Sequence, residues 1–596
     1  MQRFRVWAPS ATAVDLVLFA ETAPAPAPRE SSRHAMDRQP GGWWRCVVEH
    51  AGHGSDYAFS VDGGPTRPDP RSAWQPNGVH GPSRIFDTGR YGWRDAGWTG
   101  LDVRGQLFYE LHVGTFTAEG TLASAAGRLD HLVDLGVDVV ELMPVAAFEG
   151  RWGWGYDGVA LYAVHEPYGG PAGLQEFVDA CHARGLAVCL DVVYNHLGPS
   201  GNYVGTFGPY FTQRHETPWG SAVNLDDAGR AHVRRFLCDN ALHWFDDFHV
   251  DALRLDAVHS LVDFSGRHLL AQLSDEVAEL SSKLNRPLAL VAESDLNDPR
   301  MVEPTSAGGM GMTAQWDDDV HHALHCLLTD EQQGYYCDFG GLEVLARTLT
   351  RAFRHAGDYS TFRGKNWGRP IDPHKHRGHQ FLAYLQNHDQ VGNRAVGDRI
   401  SASVSRGRLA IGAALVLTSA YTPMIFMGEE WAAGTPWQFF TDFADPGLAR
   451  AVSDGRRSEF AEHGWDAGSI PDPQDPATRD ASVLDWTEPV RGRHAELLEW
   501  YRDLVALRRA EPDLRVDDLS RVEVTIGEDW VAAHRGGFDV VANLGSGDAV
   551  VPTRGRGKVL LAFGDRSRLD PDDVETTGSR VRLGPDTVAV LRLMPA

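Results

Sequence analysis

Cysteine is scarce: six in 596 residues, at positions 46, 181, 189, 238, 326 and 337, with no C-x-x-C pair. That spacing offers neither a compact disulfide framework nor a zinc site, so reduced, buried thiols are expected. Positive charge is short as well, 56 Lys and Arg against 81 Asp and Glu, a formal net charge of −25. So acidic a chain repels polyphosphate, which argues against nucleic acid and anionic membrane as partners. No apolar run reaches the length of a membrane span; the longest, around 409–417, is an ordinary helix. Residues 1–7 read as a strand without an apolar leader core, so a cytoplasmic setting is expected. Low complexity is confined to the Ala-Pro stretch at 23–28. Aromatics, by contrast, are plentiful: 18 Trp, 15 Tyr and 25 Phe. Flat apolar faces in an acidic chain suit a neutral, polyhydroxylated ligand.

The first hundred residues run as short strands at 4–7, 13–19, 43–48 and 57–61, separated by Pro- and Gly-rich turns. Residues 1–100 are therefore read as an N-terminal antiparallel β-sandwich. From about 105 the rhythm becomes strand, helix, strand. A strand at 107–113 precedes an amphipathic helix at 121–135 stopped by Gly136, then a strand at 137–143 stopped by Pro144. The unit repeats with a helix through Leu174, Phe177, Val178 and Cys181, Gly185 as its stop, and a strand at 186–191. Further strands fall at 249–256, 287–293, 313–316, 380–386 and 422–427, and a last helix at 493–509. Eight strands alternating with helices predict a (β/α)8 TIM barrel over 101–515. Residues 516–596 return to short strands at 522–526, 530–533, 540–543, 581–583 and 588–591, a C-terminal antiparallel β-sandwich. The chain is thus multidomain.

Chemistry in a barrel gathers at the C-terminal strand ends. Asp191 ends the third strand, Asp256 the fourth and Glu293 the fifth, while Asp389 follows the seventh. Any one of these could be a solvated strand-end carboxylate. Four around one mouth are costly unless they are paired or used. Arg254 lies two residues before Asp256, so both side chains leave the same face of the strand. It can pair with Asp191 and hold Asp256 ionised. One ionised carboxylate and one protonated acid flanking a bond make the constellation of a retaining glycosidase.

Asp191-Val-Val-Tyr-Asn-His196, Arg254-Leu-Asp256, Glu293 and Asn387-His-Asp389, in this order and on these strands, resemble the four sequence regions of the α-amylase superfamily of glycoside hydrolases. The resemblance runs over essentially the whole chain. It implies that Asp256 is the nucleophile, Glu293 the general acid and then base, and Asp389 the stabiliser of an oxocarbenium-like transition state at the −1 sugar. It also implies hydrogen bonds there from Asp191, His196, Arg254 and His388, with the histidines as neutral donors, and a stacking platform in Tyr156 of Gly155-Tyr-Asp157. Within the superfamily, Trp152-Gly-Trp-Gly-Tyr-Asp-Gly158, Tyr168-Gly-Gly-Pro171, the 315–325 segment, Gly334-Tyr-Tyr336 and Phe426-Met-Gly-Glu-Glu-Trp-Ala432 resemble the maltooligosyltrehalose trehalohydrolases.

That closer resemblance implies cleavage of the α-1,4 bond next to a terminal trehalose, releasing trehalose and a maltooligosaccharide. It also implies maltooligosyltrehalose synthase as a pathway partner. The leaving side must accept a bent α,α-1,1-linked disaccharide, and His259, Trp316, Asp318, Tyr359 and Phe362 are candidates to read it. A core aromatic or a helix-cap aspartate is the alternative at each place. The N-terminal domain is similar to carbohydrate-binding modules that precede such barrels, and a structural cap and a glycan-binding role both stay open. Two other functional readings remain: a branching or α-1,6-debranching enzyme of the same superfamily, and a non-catalytic α-glucan-binding protein. No cofactor and no metal are expected for the chemistry. His321 and His325 stand at i, i+4 but lack a third ligand, and His374, His376 and His379 read as a surface loop.

Overall fold

Eight parallel strands close on themselves: Phe108–Leu111, Val139–Leu142, Ala187–Val192, Ala252–Leu255, Ala289–Ala292, Ala314–Trp316, Phe381–Tyr384 and Thr422–Phe426, in that order around the barrel. The computed structural model describes residues 1–20, 29–461, 468 and 470–594. The Ala-Pro stretch at 23–28 lies outside them.

Successive side chains on a strand face opposite ways, and this alternation sorts the barrel residues. Phe108, Val139, Ala187, Cys189, Ala252, Val291, Trp316, Leu382, Tyr384 and Met424 share one cluster along the axis. Their odd-step neighbours, among them Tyr109, Val140, Val188, Leu253, Leu290 and Ile425, belong to the core beneath the surrounding helices. Continued toward the strand C-termini, the inward phase reaches Glu110, Glu141, Asp191, Arg254, Asp256 and Glu293. Register then sets Glu110 beside Glu141 and Asp191 beside Arg254 on adjacent strands.

The helix expected over 121–135 is two helices, Leu122–Ala126 and Leu129–Leu135. Thr121 and Ser124 cap the first reciprocally, and the chain breaks at Gly127 before the second ends on Gly136 at φ 89°. The third barrel strand is followed by a hairpin, Phe211–Thr217 with Gly220–Val223, that stands outside the barrel rhythm. Ahead of the barrel, a three-stranded sheet (Gln2–Trp7, Trp43–Val48, Asp37–Arg38) and a five-stranded one built around Val14–Phe19 and Asp56–Val61 contribute Phe4, Val6, Leu16, Trp44, Tyr57 and Phe59 to the core. Behind it, the five-stranded sheet of Val522–Ile526, Trp530–Arg535, Phe538–Asn543, Thr587–Leu593 and Gly557–Phe563 faces a two-stranded one. Two of these C-terminal strands, Ala549–Pro552 and Gly557–Phe563, escaped the sequence pattern. Among the described residues no helix is long and apolar enough to cross a membrane.

Two arginines plug the joint between the barrel and the C-terminal sheet. Arg508, on the helix Gly492–Ala510, donates to the carbonyls of Leu417, Ser419, Tyr421 and Leu514. Arg535 donates to Thr418, Leu514 and Val516. Burial pulls Arg508 down to about 9 and Arg535 down to about 10, and both stay charged at neutral pH. Carbonyls that end helices and strands must find donors, and here one side chain serves four. Arg508→Met strips them together and is expected to cost about 3 kcal/mol. Urea denaturation of the two proteins measures this, and a difference below about 1 kcal/mol would show that the joint does not depend on it.

Candidate active site

Arg254 is the centre of the barrel mouth, with its side chain fully buried. Its Nη1 donates to Asp191 Oδ2 at 2.7 Å and to Asp256 Oδ1 at 3.0 Å. Nη2 lies 2.8 Å from Glu293 Oε2, an ion pair without the alignment of a hydrogen bond. One guanidinium thus gathers acids from the ends of the third, fourth and fifth strands. The side chains of Asp256 and Glu293 keep 10% and 20% of their surface open to the cleft, whereas Asp191 keeps 1%. Asp191 also accepts the Tyr156 hydroxyl at 2.7 Å, so it braces the arginine and the tyrosine from below.

The two cleft acids are held differently. Asp256 takes its bond from Arg254 and another from Asn195 Nδ2 at 2.7 Å. Burial pushes Asp256 above its ordinary value, and Arg254 and Asn195 pull back against that push. Glu293 accepts the Ala257 amide at 2.7 Å, and its contact with the guanidinium is misaligned. Burial drives Glu293 up to about 7; Arg254 opposes this, and the charges of Asp256 and Asp389 reinforce it. The Ala257 amide can reach Glu293 because Ala257 adopts φ 39°, turning the chain sharply just after Asp256.

Asp389 enters from the short helix His388–Gly392, capped by the Asn387 side chain. Its carboxylate is 37% open and lies 3.3 Å from His388 Nε2. Burial works against the Asp389 charge, but His388 outweighs it and holds the acid below its ordinary value. His388 itself departs from the sequence expectation of a neutral donor. Burial opposes its charge, yet Asp389 and Glu110 on either side raise it well above its ordinary value. His196 does fit the neutral reading: burial lowers it to about 4, and its Nε2 meets the Tyr156 carbonyl at 3.0 Å. The Tyr156 ring is half-buried and stacks on His388 at 5.1 Å.

The outer candidates separate into two groups. Trp316 is buried along the barrel axis with its ring 4.3 Å beneath the Arg254 guanidinium. Its face is spent on the arginine, so the expectation that it lines the leaving side gives way. The others gather around Asp295, two residues past Glu293. His259 accepts the Asp295 amide at 3.4 Å, and the hairpin Tyr359–Ser360 with Lys365–Asn366 is tied down by the Arg363–Asp295 ion pair and by Trp367 Nε1 on the Asp295 carbonyl at 2.7 Å. That hairpin leaves Tyr359 58% and Phe362 55% exposed. Asp318 opens the helix Asp318–Thr329, bonds to the Tyr384 hydroxyl and to Gln390 Nε2, and is driven by burial to about 7.

Sequence reasoning passed over three residues. Asn195 bonds to Asp256, Trp219 stacks on His196 at 4.7 Å from the extra hairpin, and Glu110 bonds to His388. Asn195 lay inside the Asp191–His196 motif, and the period-two phase from Phe108 points to Glu110; nothing local marked Trp219. The histidines set aside earlier are engaged in the fold. His321 bonds to the Leu385 carbonyl and the Tyr336 hydroxyl, and His325 to Glu331. His376 is buried, not on a surface loop, because Glu303 accepts from it and from Lys375.

A closed (β/α)8 barrel whose strand ends set three acids around one arginine defines an α-amylase-type glycoside hydrolase. The model of the family "Alpha amylase, catalytic domain" matches residues 82–208, and that of "Carbohydrate-binding module 48 (Isoamylase N-terminal domain)" matches residues 2–72. A crystal structure of a putative alpha amylase from Salmonella typhimurium superposes with a TM-score of 0.89 at 35% identity, covering 99% of this chain and 97% of that one. The malto-oligosyltrehalose trehalohydrolase of Arthrobacter ramosus is 53% identical over 95% of this chain and 96% of its own. That of Rhizobium sp. (strain M-11) is 47% identical over 99% and 97%. The chain belongs to the malto-oligosyltrehalose trehalohydrolase family.

Glu293 keeps a proton in the folded state that the unfolded chain loses at its ordinary value of 4.5. From there up to about pH 7, rising pH therefore lowers folded-state stability. Glu293→Gln cannot titrate, so its stability relative to wild type is expected to climb across that window and stay flat above it. Thermal melts at about pH 5 and about pH 8 check this, and an equal difference at both would contradict it.

Proposed function

We propose that this chain is a retaining α-glycosidase that cuts the α-1,4 bond joining a maltooligosaccharide to the terminal trehalose of maltooligosyltrehalose. The observation that carries the chemistry is one buried guanidinium shared by two cleft acids, aligned on Asp256 and misaligned on Glu293. The near full-length relatives carry the choice of substrate.

In this reading Glu293, protonated at its raised value, donates its proton to the glycosidic oxygen as the bond to the leaving trehalose breaks. Asp256 attacks the anomeric carbon from the opposite face and forms a covalent glucosyl ester. Asp389, held ionised by His388, faces the positive charge that develops on the ring. Tyr156 offers its ring to the −1 sugar, while Asp191 and His196 fix that tyrosine through its hydroxyl and its carbonyl. Once trehalose departs, Glu293, now a carboxylate, takes a proton from water as its oxygen attacks the anomeric carbon, breaking the bond from that carbon to the Asp256 oxygen and freeing the carboxylate. Two inversions give net retention, with the carboxyl groups about 5–5.5 Å apart.

His259, Asp318, Tyr359 and Phe362 are the groups we assign to the leaving trehalose: His259 and the hairpin carrying Tyr359 and Phe362 are tied to Asp295, two residues past the acid, and Asp318 opens the helix after the sixth strand. The substrate would come from a synthase that isomerises the reducing end of a maltooligosaccharide. A cytoplasmic setting fits six cysteines that form no disulfide.

Incubation with maltooligosyltrehalose is expected to release free trehalose, with the new reducing end first appearing as the α-anomer by NMR. Asp256→Asn is expected to lose roughly 10⁴-fold or more in kcat while still binding the oligosaccharide. Processing of branched glucan with no trehalose released would overturn the substrate, and near-normal turnover in Asp256→Asn would overturn the mechanism.

A further inference from the structure

One buried acid beside the cleft has no part in the steps above, and both its oxygens are spent on a single residue. Glu110, on the first barrel strand, is 1% exposed. Its Oε2 accepts the His388 backbone amide at 3.0 Å, and its Oε1 accepts the ring Nδ1–H at 2.5 Å. The opposite ring nitrogen, Nε2, is the one 3.3 Å from Asp389 Oδ2. Around the ring's faces and edges stand Tyr156 at 5.1 Å, Trp154 at 5.8 Å and Trp316 at 6.0 Å. A ring with a carboxylate at each nitrogen must donate at both ends, which only the imidazolium does.

We propose that Glu110 is a positioning residue for the hydrolysis: gripping His388 by backbone and ring, it keeps that ring a doubly donating cation, which holds Asp389 ionised and aimed at the −1 sugar. The other strands bear on the same ring. Glu141 on the second strand and Asp191 on the third face it with their acids, His112, lowered by burial to about 3, stays neutral beside it, and Arg254 competes for Asp389. Glu141 does not duplicate Glu110. Burial, then the neighbouring Glu110 charge, raise Glu141 well above its ordinary value, and neither of its oxygens has a hydrogen-bond partner. It stands beside Glu110 at matched register on the adjacent strand and makes no bond to His388.

Glu110→Gln leaves His388 with one carboxylate and replaces one of the two acceptors on its backbone amide and ring by a donor. In Glu110→Gln the His388 ring would lose its proton within the working pH range, leaving Asp389 without its cationic partner. The inference rests on Asp389 as the −1 stabiliser, so the wild type must first release trehalose; with that in hand, failure below concerns Glu110 alone.

The test compares Glu110→Gln, Asp389→Asn, the double variant and Glu141→Gln, each with its Tm. Glu110→Gln is expected to lose about 10²-fold in kcat/KM, with the alkaline limb of its pH profile moved about one unit lower. The double variant is expected within about threefold of Asp389→Asn alone, because both act through one carboxylate. Glu141→Gln, an amide in place of an acid that makes no bond to His388, should stay within about threefold of wild type with an unmoved profile. Additive losses in the double variant, an unmoved limb in Glu110→Gln, or the same loss in Glu141→Gln would each overturn the proposal. If Glu110→Gln does not fold, Glu110→Asp decides: it keeps the charge, so the limb should stay at its wild-type position while kcat/KM falls, and a shifted limb would count against it.

Discussion

A single positive charge, buried where water cannot screen it, organises the active end of this barrel. Arg254 carries no exposed surface and touches three acids from three strands. Unpaired, each acid would carry a desolvation cost of several kcal/mol, and so would the arginine. Together they satisfy one another, and unequally. Asp256 and Asp191 receive aligned bonds, while Glu293 receives proximity without alignment. The guanidinium thus opposes the effect of burial on both cleft acids, through an aligned bond at Asp256 and through proximity alone at Glu293. Trp316, flat beneath the guanidinium, closes the remaining direction with an aromatic face.

The barrel makes such a cluster possible because parallel strands in matched register bring successive inward positions to one level. Asp191 opposite Arg254 and Glu110 opposite Glu141 are consequences of strand pairing, not of any local motif. A second charged centre, Glu110–His388–Asp389, repeats the same logic with a buried histidine cation set between two carboxylates. Tyr156 links the two centres, bonded to Asp191 through its hydroxyl and stacked on His388 through its ring. From behind, Arg508 on the helix Gly492–Ala510 and Arg535 on the C-terminal sheet together hold the 417–421 segment that leads into the eighth strand.

Much of this could be read from the chain alone, because two hydrophobic periods mark the strands and helices and because barrel chemistry gathers at strand ends. Asp191, Asp256, Glu293 and Asp389 stood at those ends before any coordinates, and the motif resemblance supplied their proposed roles. What stayed hidden depended on neighbours far away in sequence. Glu110 sits among Phe108, Tyr109 and Leu111 and looks like one more buried strand residue; its meaning lies 278 positions on, at His388. The charge on His388 was missed for the same reason. Trp316 stood among the candidates for the leaving side, although the step of two from Ala314 already pointed it at the axis. His376 looked solvated until Glu303, 73 residues earlier, supplied an acceptor. The two unread C-terminal strands begin next to Gly- and Arg-rich turns that blur the alternation.

The central claim is a division of labour between two acids held by one guanidinium, and trapping the intermediate tests it most directly. A 5-fluoro-α-glucosyl fluoride, whose ester hydrolyses slowly, would be incubated with the protein, which is then digested and analysed by peptide mass spectrometry. The account predicts a single glucosyl label on Asp256, retained and slower to clear in Glu293→Gln. A label on Glu293 or Asp389, or turnover with no covalent label at all, would contradict it.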